Sequence, residues 1–315
     1  MKRFLFLWIV PLCLARALNA QPELLTAPPD AHAAAMGLSG VSENADANSI
    51  YWNAAKLAFA DYHYGASASY QPFELFYEDG NFAGLAGYYR PDSNSAVAVS
   101  GRYFSTGTVY YWPAVYHPIE KAVDVAYAHK LCRSLAASVT ARLANLDPDG
   151  FPGRRVKNYF AADAGVYYEG KSRSYATGTL QFSAGMTLAN IGPKPDYNEY
   201  WEGPLPLTLR PGAALSFSPA KKHRFTAQAQ LNAGLPKWER YANVGGGLQY
   251  EYANLVAIRA GYSYSNFWSR KLTCGIGLHY RQFQLDAAYT VGSYGFPNDG
   301  EWFFTLSANF NSAKK

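Results

Sequence analysis

Cysteine, clustered histidine and long apolar runs are all scarce in this chain, and each scarcity removes a class of protein. Only three cysteines occur in 315 residues. Cys13 falls in an N-terminal leader, so Cys132 and Cys274 alone remain; a disulfide framework is excluded, and a single bridge stays open. Beyond the leader no apolar run approaches the ~18 residues of a helical membrane span, which excludes a helical membrane protein. The six histidines (His32, His63, His117, His129, His223 and His279) are scattered, none at the close spacing of a zinc site. Gly37-Leu38-Ser39-Gly40 lacks the Gly-x-Ser-x-Gly pattern of a nucleophile elbow. No phosphate-cradling glycine loop occurs. Asn44, Asp46 and Asn48 alternate as calcium ligands do, but no downstream Glu completes a loop. A lipid-modifying enzyme would need a Ser/His/acid group at one rim, and His63, His117 and His279 form no such pattern. No catalytic residue, metal or cofactor is expected.

Excess charge is also lacking. The formal net charge is +5, but the first twenty residues read as a secretory signal. Lys2 and Arg3 form its basic start, Phe4 to Leu14 its apolar stretch, and Ala15, Ala17 and Ala20 its small residues. Cleavage after Ala20 leaves Gln21 first; cleavage after Ala17 competes. Leu12 stands before Cys13 where a lipoprotein signal wants a small residue. Three of the 28 basic residues (Lys2, Arg3, Arg16) leave with the signal, and 25 then face 23 acidic ones. Nucleic-acid binding has no support in so small an excess.

What is present is alternation. In Ser134 to Leu143, one face carries Leu135, Ala137, Val139, Ala141 and Leu143, and the other Ser134, Ala136, Ser138, Thr140 and Arg142. Successive side chains of a strand point to opposite faces, so this strand has one oily and one wet side. Ten residues suffice for a tilted strand to cross a bilayer. About fourteen such segments follow one another: 62–71, 81–90, 95–104, 122–131, 134–143, 157–168, 178–189, 207–217, 223–233, 242–252, 255–264, 271–280, 282–291 and 301–310. The aromatic fraction of 16%, with 26 Tyr and 7 Trp, suits the two interfaces of a membrane. Mean hydropathy is only −0.21, as expected where half of each strand faces a polar lumen.

Loop lengths separate this from a secreted β-sandwich. Connections after even-numbered segments are mostly tight (Pro91 to Asn94, Cys132-Arg133, Ala253-Asn254, Arg281). Those after odd-numbered ones run long, as at Ser105 to Lys121 and Asn190 to Pro206. Outer-membrane barrels have an even strand number, short periplasmic turns and long external loops. The fold expected is therefore all-β, a transmembrane antiparallel barrel of about 14 strands over residues 62–315.

Fourteen strands enclose more space than wall side chains alone fill. Residues 21–61 do not alternate, are rich in Ala and Gly, and hold a short helix near Asn53 to Ala60; they are read as a plug in the lumen. A periplasmic tail is the alternative. The lumen is expected to carry Arg102, Asp124, Lys130, Arg142, Asp163, Arg210, Glu251, Arg259 and Asp286. Ion pairs that fix the plug explain them better than a selectivity lining, since buried charges demand partners. Gly245-Gly246-Gly247 should weaken or kink its strand, as a packing site or a side opening. Tyr110, Tyr111, Trp112, Tyr116, Trp201 and Trp268 fall in external loops. Aromatics there serve an interfacial girdle or anchor a protein partner, and the 105–121 and 190–206 loops are the partner-binding candidates.

The tract Ala27-Pro28-Pro29-Asp30-Ala31-His32-Ala33-Ala34-Ala35-Met36-Gly37 and the block from Asp46 to Phe59, with Tyr51-Trp52-Asn53 at its centre, resemble the PorV family. Leu85-Ala86-Gly87-Tyr88-Tyr89-Arg90, Gly101-Arg102-Tyr103-Phe104-Ser105 and Asn190-Ile191-Gly192-Pro193 add to the likeness, which is densest before residue 105. Met36, Gly37, Gly40, Trp52 and Asn53 are its plug motif. Relatives usually have Trp-Asn-Pro-Ala where this chain has Trp52-Asn53-Ala54-Ala55, so the proline that would start a short helix is lost. The resemblance implies an outer-membrane component of the Bacteroidota type IX secretion system, related in architecture to FadL-type barrels. Such proteins associate with the giant SprA-type translocon. They collect cargo through its C-terminal signal domain and deliver it to the PorU-containing attachment complex. The partners implied are those proteins, the cargo and outer-membrane lipid. The competing expectation is a FadL-like channel for hydrophobic small molecules, and the Ser, Thr, Gln and charge of the lumen weigh against it.

Overall fold

The computed structural model describes residues 23–73, 79–111, 113–149, 156–193, 205–235, 242–266, 270–292 and 300–311. The expected signal sequence, residues 1–20, lies outside them, as do Trp112, Trp201 and Trp268.

Seventeen strands are present among the described residues. They are β1 (Tyr64–Phe73), β2 (Gly80–Tyr89), β3 (Ser95–Ser105), β4 (Val109–Tyr111), β5 (Ala114–Tyr116), β6 (Ile119–Cys132), β7 (Leu135–Asp147), β8 (Lys157–Glu169), β9 (Arg173–Tyr175), β10 (Gly178–Ile191), β11 (Thr208–Ala220), β12 (His223–Gly234), β13 (Ala242–Tyr252), β14 (Val256–Ser265), β15 (Arg270–Tyr280), β16 (Phe283–Gly292) and β17 (Gly300–Phe310). Apart from β4 and β5, which pair only with each other, and β9, which pairs only with β10, the strands form one antiparallel ring in which β10 also pairs with β11 and β1 with β17. The result is a closed 14-stranded barrel with no free edge. Each of the fourteen alternating segments became one wall strand. The sequence pattern missed the β4–β5 hairpin inside the loop after β3, and the three-residue β9 before β10. Both are too short for a period to register.

Alternation sorts the side chains as a lipid-facing wall requires. Along β7, Val139 and Leu143 are exposed, while Ala136, Ser138, Thr140, Arg142 and Ala144 are buried. The outward row of bulky apolar groups continues around the wall, through Val123 and Val125 on β6, Leu248 on β13 and Leu272 on β15. In water such a surface would be unfavourable by about 25 cal/mol per Å²; in lipid it is the solvated face. Where β2 left the choice of face open, Phe82 and Tyr88 turn in and Leu85 turns out. Cys132 and Cys274 are both exposed and free of a disulfide.

Tight turns close one end of the barrel. β13 passes to β14 through Ala253, Asn254 and Leu255, the first two at φ 54°, and β15 passes to β16 through Arg281 and Gln282, with Arg281 at φ 55°. Positive φ at these positions matches the twist of hairpin strands. The wall breaks register at a bulge in β10, between Leu188 and Ile191 opposite β8. Asn190, at φ 62°, points inward there and is 1% exposed.

Residues 23–60 fill the interior as a plug. They form a one-turn 3-10 helix (Glu23–Leu25), a short helix (Ala31–Ala35), a second (Ser49–Trp52) and a 3-10 helix (Ala54–Phe59). Ala and other small residues let these turns lie flat against the wall, and Leu24, Leu25, Ala34, Ala35 and Ala55 are wholly buried. The Asn53 side chain accepts from Ala55 N–H and caps the last helix, in place of the missing proline.

Candidate functional site

The interior carries the chemistry of this molecule, and it is built by wall side chains that bond plug backbone. Thr273 Oγ1 accepts from Gly37 N–H at 3.1 Å and donates to Ala35 C=O at 2.9 Å. Gln230 Oε1 accepts from the N–H groups of Gly40 and Val41 at 2.8 and 3.0 Å. Thr305 accepts from Ala31 N–H, Thr187 donates to Trp52 C=O, and Asn53 Nδ2 donates to Val166 C=O. Short polar side chains on the inward face thus satisfy a chain that makes no ladder of its own. The plug motif lies in these contacts: Met36, Gly37, Gly40, Trp52 and Asn53 all meet the wall or one another.

Gly245, Gly246 and Gly247 explain the close approach. β13 keeps its full pairing with β12 and β14 through them, so no kink or opening forms there. A Cβ on Gly245 would collide with the Gly37 carbonyl oxygen, and one on Gly247 would lie 2.7 Å from Met36 Cα. Gly37 itself is at φ 74°, a left-handed turn that favours glycine. The wall is bare where the plug backbone turns against it.

The lumenal charges fall into two groups and two outliers. Arg102, Asp124, Arg142 and Asp163 alternate in sign across β3, β6, β7 and β8. Arg102 Nη2 lies 3.0 Å from Asp124, Arg142 Nε also meets Asp124, and Arg142 Nη2 lies 2.9 Å from Asp163. Arg142 and the Asp163 carboxylate also engage Asn190 in its bulge. Arg102 Nη1 reaches the plug at Leu24 C=O, 3.1 Å away. On the other side Arg259 Nη1 meets Asp286 at 2.6 Å across the intervening β15, and its Nε meets Gln249, which also bonds Glu251. Gly277 makes room, because a Cβ there would crowd both partners. Lys130 is only partly buried, with its ammonium 4.4 Å over the Phe59 ring. Arg210 has no carboxylate partner among the described residues.

A second ionisable cluster, inside the plug, carried no signal of spacing. Asp30 caps the Ala31–Ala35 helix, accepting from Ala33 N–H and from Trp52 Nε1, both at 2.8 Å. Burial, with the Asp46 charge behind it, pushes Asp30 up to about 6. Lys56 is fully buried, donates to Gly40 C=O at 2.6 Å and lies 3.7 Å from Glu43. Burial pushes Glu43 up to about 8 against the pull of Lys56, so near neutral pH its carboxyl is largely protonated. His32 sits 3.4 Å from Glu43. Burial first, then Arg259 and Lys56, hold it well below its ordinary range. The one sequence hint was Lys56, a lone cation in Ala54-Ala55-Lys56-Leu57-Ala58-Phe59, which demands a partner if the run is buried.

At the end of the barrel opposite the tight turns, the β4–β5 hairpin carries Tyr110, Tyr111 and Tyr116. Tyr110 is 67% exposed. Between plug and wall on the same side lies a cavity of about 40 Å³, lined by Tyr51, Trp52, Thr208, Arg210, Asn232 and Asn243 among others.

A family model described as type IX secretion system protein PorV matches residues 15–236. The chain belongs to the PorV family. No curated protein matches the sequence. Among solved structures, the Ralstonia pickettii toluene transporter TbuX superposes with a TM-score of 0.59 at 12% identity, covering 90% of this chain and 98% of its own. The CymD monoaromatic hydrocarbon channel gives 0.57 at 12%, over 90% and 98%. A Pseudomonas aeruginosa FadL homologue gives 0.55 at 10%, over the same shares. At these identities the likeness is one of fold. This PorV-family chain is thus an outer-membrane barrel of FadL-like architecture, in the setting of type IX secretion.

Proposed function

We propose that this PorV-family barrel is a non-enzymatic carrier of type IX secretion. It binds the C-terminal signal domain of secreted cargo at its outer face and passes the cargo from the translocon to the attachment complex. The observation that carries this reading is a filled interior beneath a protruding outer hairpin. The plug is hydrogen-bonded to β8, β10, β12, β15 and β17, while Tyr110 and Val115 of the hairpin stand exposed. Exposed aromatics on a rigid support are typical anchors of protein interfaces. Tyr110, Tyr111 and Tyr116, with Trp112, Trp201 and Trp268 of the outer loops, are the proposed contacts.

The test is a pull-down. Replacing residues 107–117 by a short Gly/Ser linker spares β3 and β6, and should abolish capture of cargo signal domain or translocon. Unchanged capture would remove the hairpin from the interface.

A second reading, a channel for hydrophobic small molecules, draws on the hydrocarbon and toluene transporters of similar fold. The cavity of about 40 Å³ weighs against it, since a buried cavity that takes benzene measures roughly 150 Å³. Uptake of labelled toluene or oleate by cells expressing the barrel, above that of cells lacking it, would favour the channel.

A further inference from the structure

Among the described residues four arginines face the lumen from the wall strands as buried side chains, and three of them are paired with carboxylates. Arg102 and Arg142 share Asp124, Arg142 also holds Asp163, and Arg259 holds Asp286. Arg210 differs. It is 5% exposed, yet among the described residues its guanidinium hydrogen-bonds only Tyr51. The contacts are Nη1 to the carbonyl at 3.4 Å and Nη2 to the hydroxyl at 3.5 Å, at the long limit of a hydrogen bond. Its remaining attraction is to ring faces, 4.9 Å from the Tyr51 centroid and 5.8 Å from Trp52.

The surroundings show what is missing. A cation taken out of water needs an anion or several good acceptors, and Arg210 instead lines the 40 Å³ cavity. Thr208, Asn232 and Asn243, which also line it, sit where β11, β12 and β13 join the outer loops. The two amides are ordered by a chain of bonds, Gln230 to Asn232 at 2.7 Å, Asn232 to Asn243 at 3.2 Å and Asn243 to Ser263 at 2.6 Å. The Tyr51 and Trp52 rings stand at 89° to each other, so the guanidinium sits in the corner between them, and its two long bonds to Tyr51 leave most of its N–H groups for the paired N–H···O bonds that a carboxylate matches.

We propose that Arg210, seated on Tyr51 and Trp52, binds a carboxylate group that enters from the outer side on the end of a longer molecule. The cavity admits the head group alone, so the rest of the ligand extends outward past Thr208. A polypeptide C-terminus and a free fatty acid both carry this group. The site does not depend on the secretion reading; only the peptide arm below bears on that.

The experiment uses the purified full-length mature barrel in detergent, with binding followed by calorimetry or ligand-observed NMR. Butyrate should bind and butyramide should not. Arg210→Gln should weaken butyrate by ~10-fold or more, the loss of charge-assisted bonds. Arg210→Lys keeps the charge without the fork and should also weaken it, and it decides the matter if the Gln variant fails to show the heat-modifiable gel mobility of a folded barrel. An acetylated pentapeptide with a free C-terminus is then set against its amide, and dodecanoate against dodecanol. Displacement of butyrate by the peptide acid alone assigns the site to polypeptide, and by dodecanoate alone to lipid; either supports the proposal. Equal binding of butyrate and butyramide, undiminished binding to both variants, or displacement by neither long carboxylate would overturn it.

Discussion

The indole N–H of Trp52 donates to a carboxylate oxygen of Asp30 at 2.8 Å. These two residues belong to the two N-terminal blocks on which the family resemblance rests, and the bond joins the blocks inside the barrel. Asp30 is 2% exposed, so losing the donor leaves a buried acceptor short of a partner. Trp52→Phe should destabilise the barrel by about 1–3 kcal/mol, read from denaturant unfolding in detergent. In a double-mutant cycle with Asp30→Ala the cost of Trp52→Phe should shrink. A strictly additive result would show that the bond contributes nothing.

Glu43 gives the plug a pH dependence. Its folded pKa, about 8, lies above the ordinary value of 4.5. Its contribution to stability is therefore complete below about pH 4.5 and is lost as pH rises through about 8. His32 is shifted down, so its contribution is present above about pH 6.5 and lost as pH falls. Between about pH 6.5 and about pH 9 the His32 contribution is constant, and the melting temperature should fall with rising pH. Glu43→Gln cannot ionise and should flatten that fall. Parallel wild-type and variant curves would remove Glu43 as the cause.

Arg142 is the hinge of the charge ladder, shared by Asp124 and Asp163. Arg142→Met should cost about 3–5 kcal/mol, because it strands a buried carboxylate rather than because the pair is itself strongly stabilising. Asp163→Asn in the same chain should recover part of the loss. A single Arg142→Met with wild-type stability in chemical unfolding would contradict the buried ladder.

The bare patch under Gly37 separates two wall glycines by position alone. Gly245→Ala pushes a methyl into the Gly37 carbonyl, whereas Gly101 has nothing within 4 Å of a Cβ. Gly245→Ala should displace the plug and raise ion conductance in planar bilayers, while Gly101→Ala stays within about 0.5 kcal/mol of the parent in stability and keeps its conductance. Equal conductance of the two variants would refute the seating of Gly37 on β13.

The wall was legible in the sequence because strand alternation is local: Leu135 to Leu143 reveal their two faces without reference to anything distant. The tight turn at Ala253-Asn254 could be located by length, but its left-handed backbone could not, since neither residue is glycine. The interior was legible only in part. Arg142 could be placed on the wet face, yet its meeting with Asn190 depends on a bulge that shifts β10 against β8, and no periodicity announces a bulge. Gly245 to Gly247 looked like a weakness because their partner, Gly37, lies some two hundred residues earlier in the chain. Asp30, His32, Glu43 and Lys56 carry no strand or helix period at all, and only the folded barrel brings them together.

The pairing of β1 with β17, Tyr64 opposite Phe310 and Tyr70 opposite Phe304, has a consequence for biogenesis. The plug precedes every wall strand in the chain, but Gly37 rests on β13 to β15 and Ala31 bonds to β17. Its resting place exists only where the strands from the far end of the chain are in place. The earliest segment therefore depends on the latest, and without β17 in place β1 lacks one of its two partners and Ala31 lacks its acceptor.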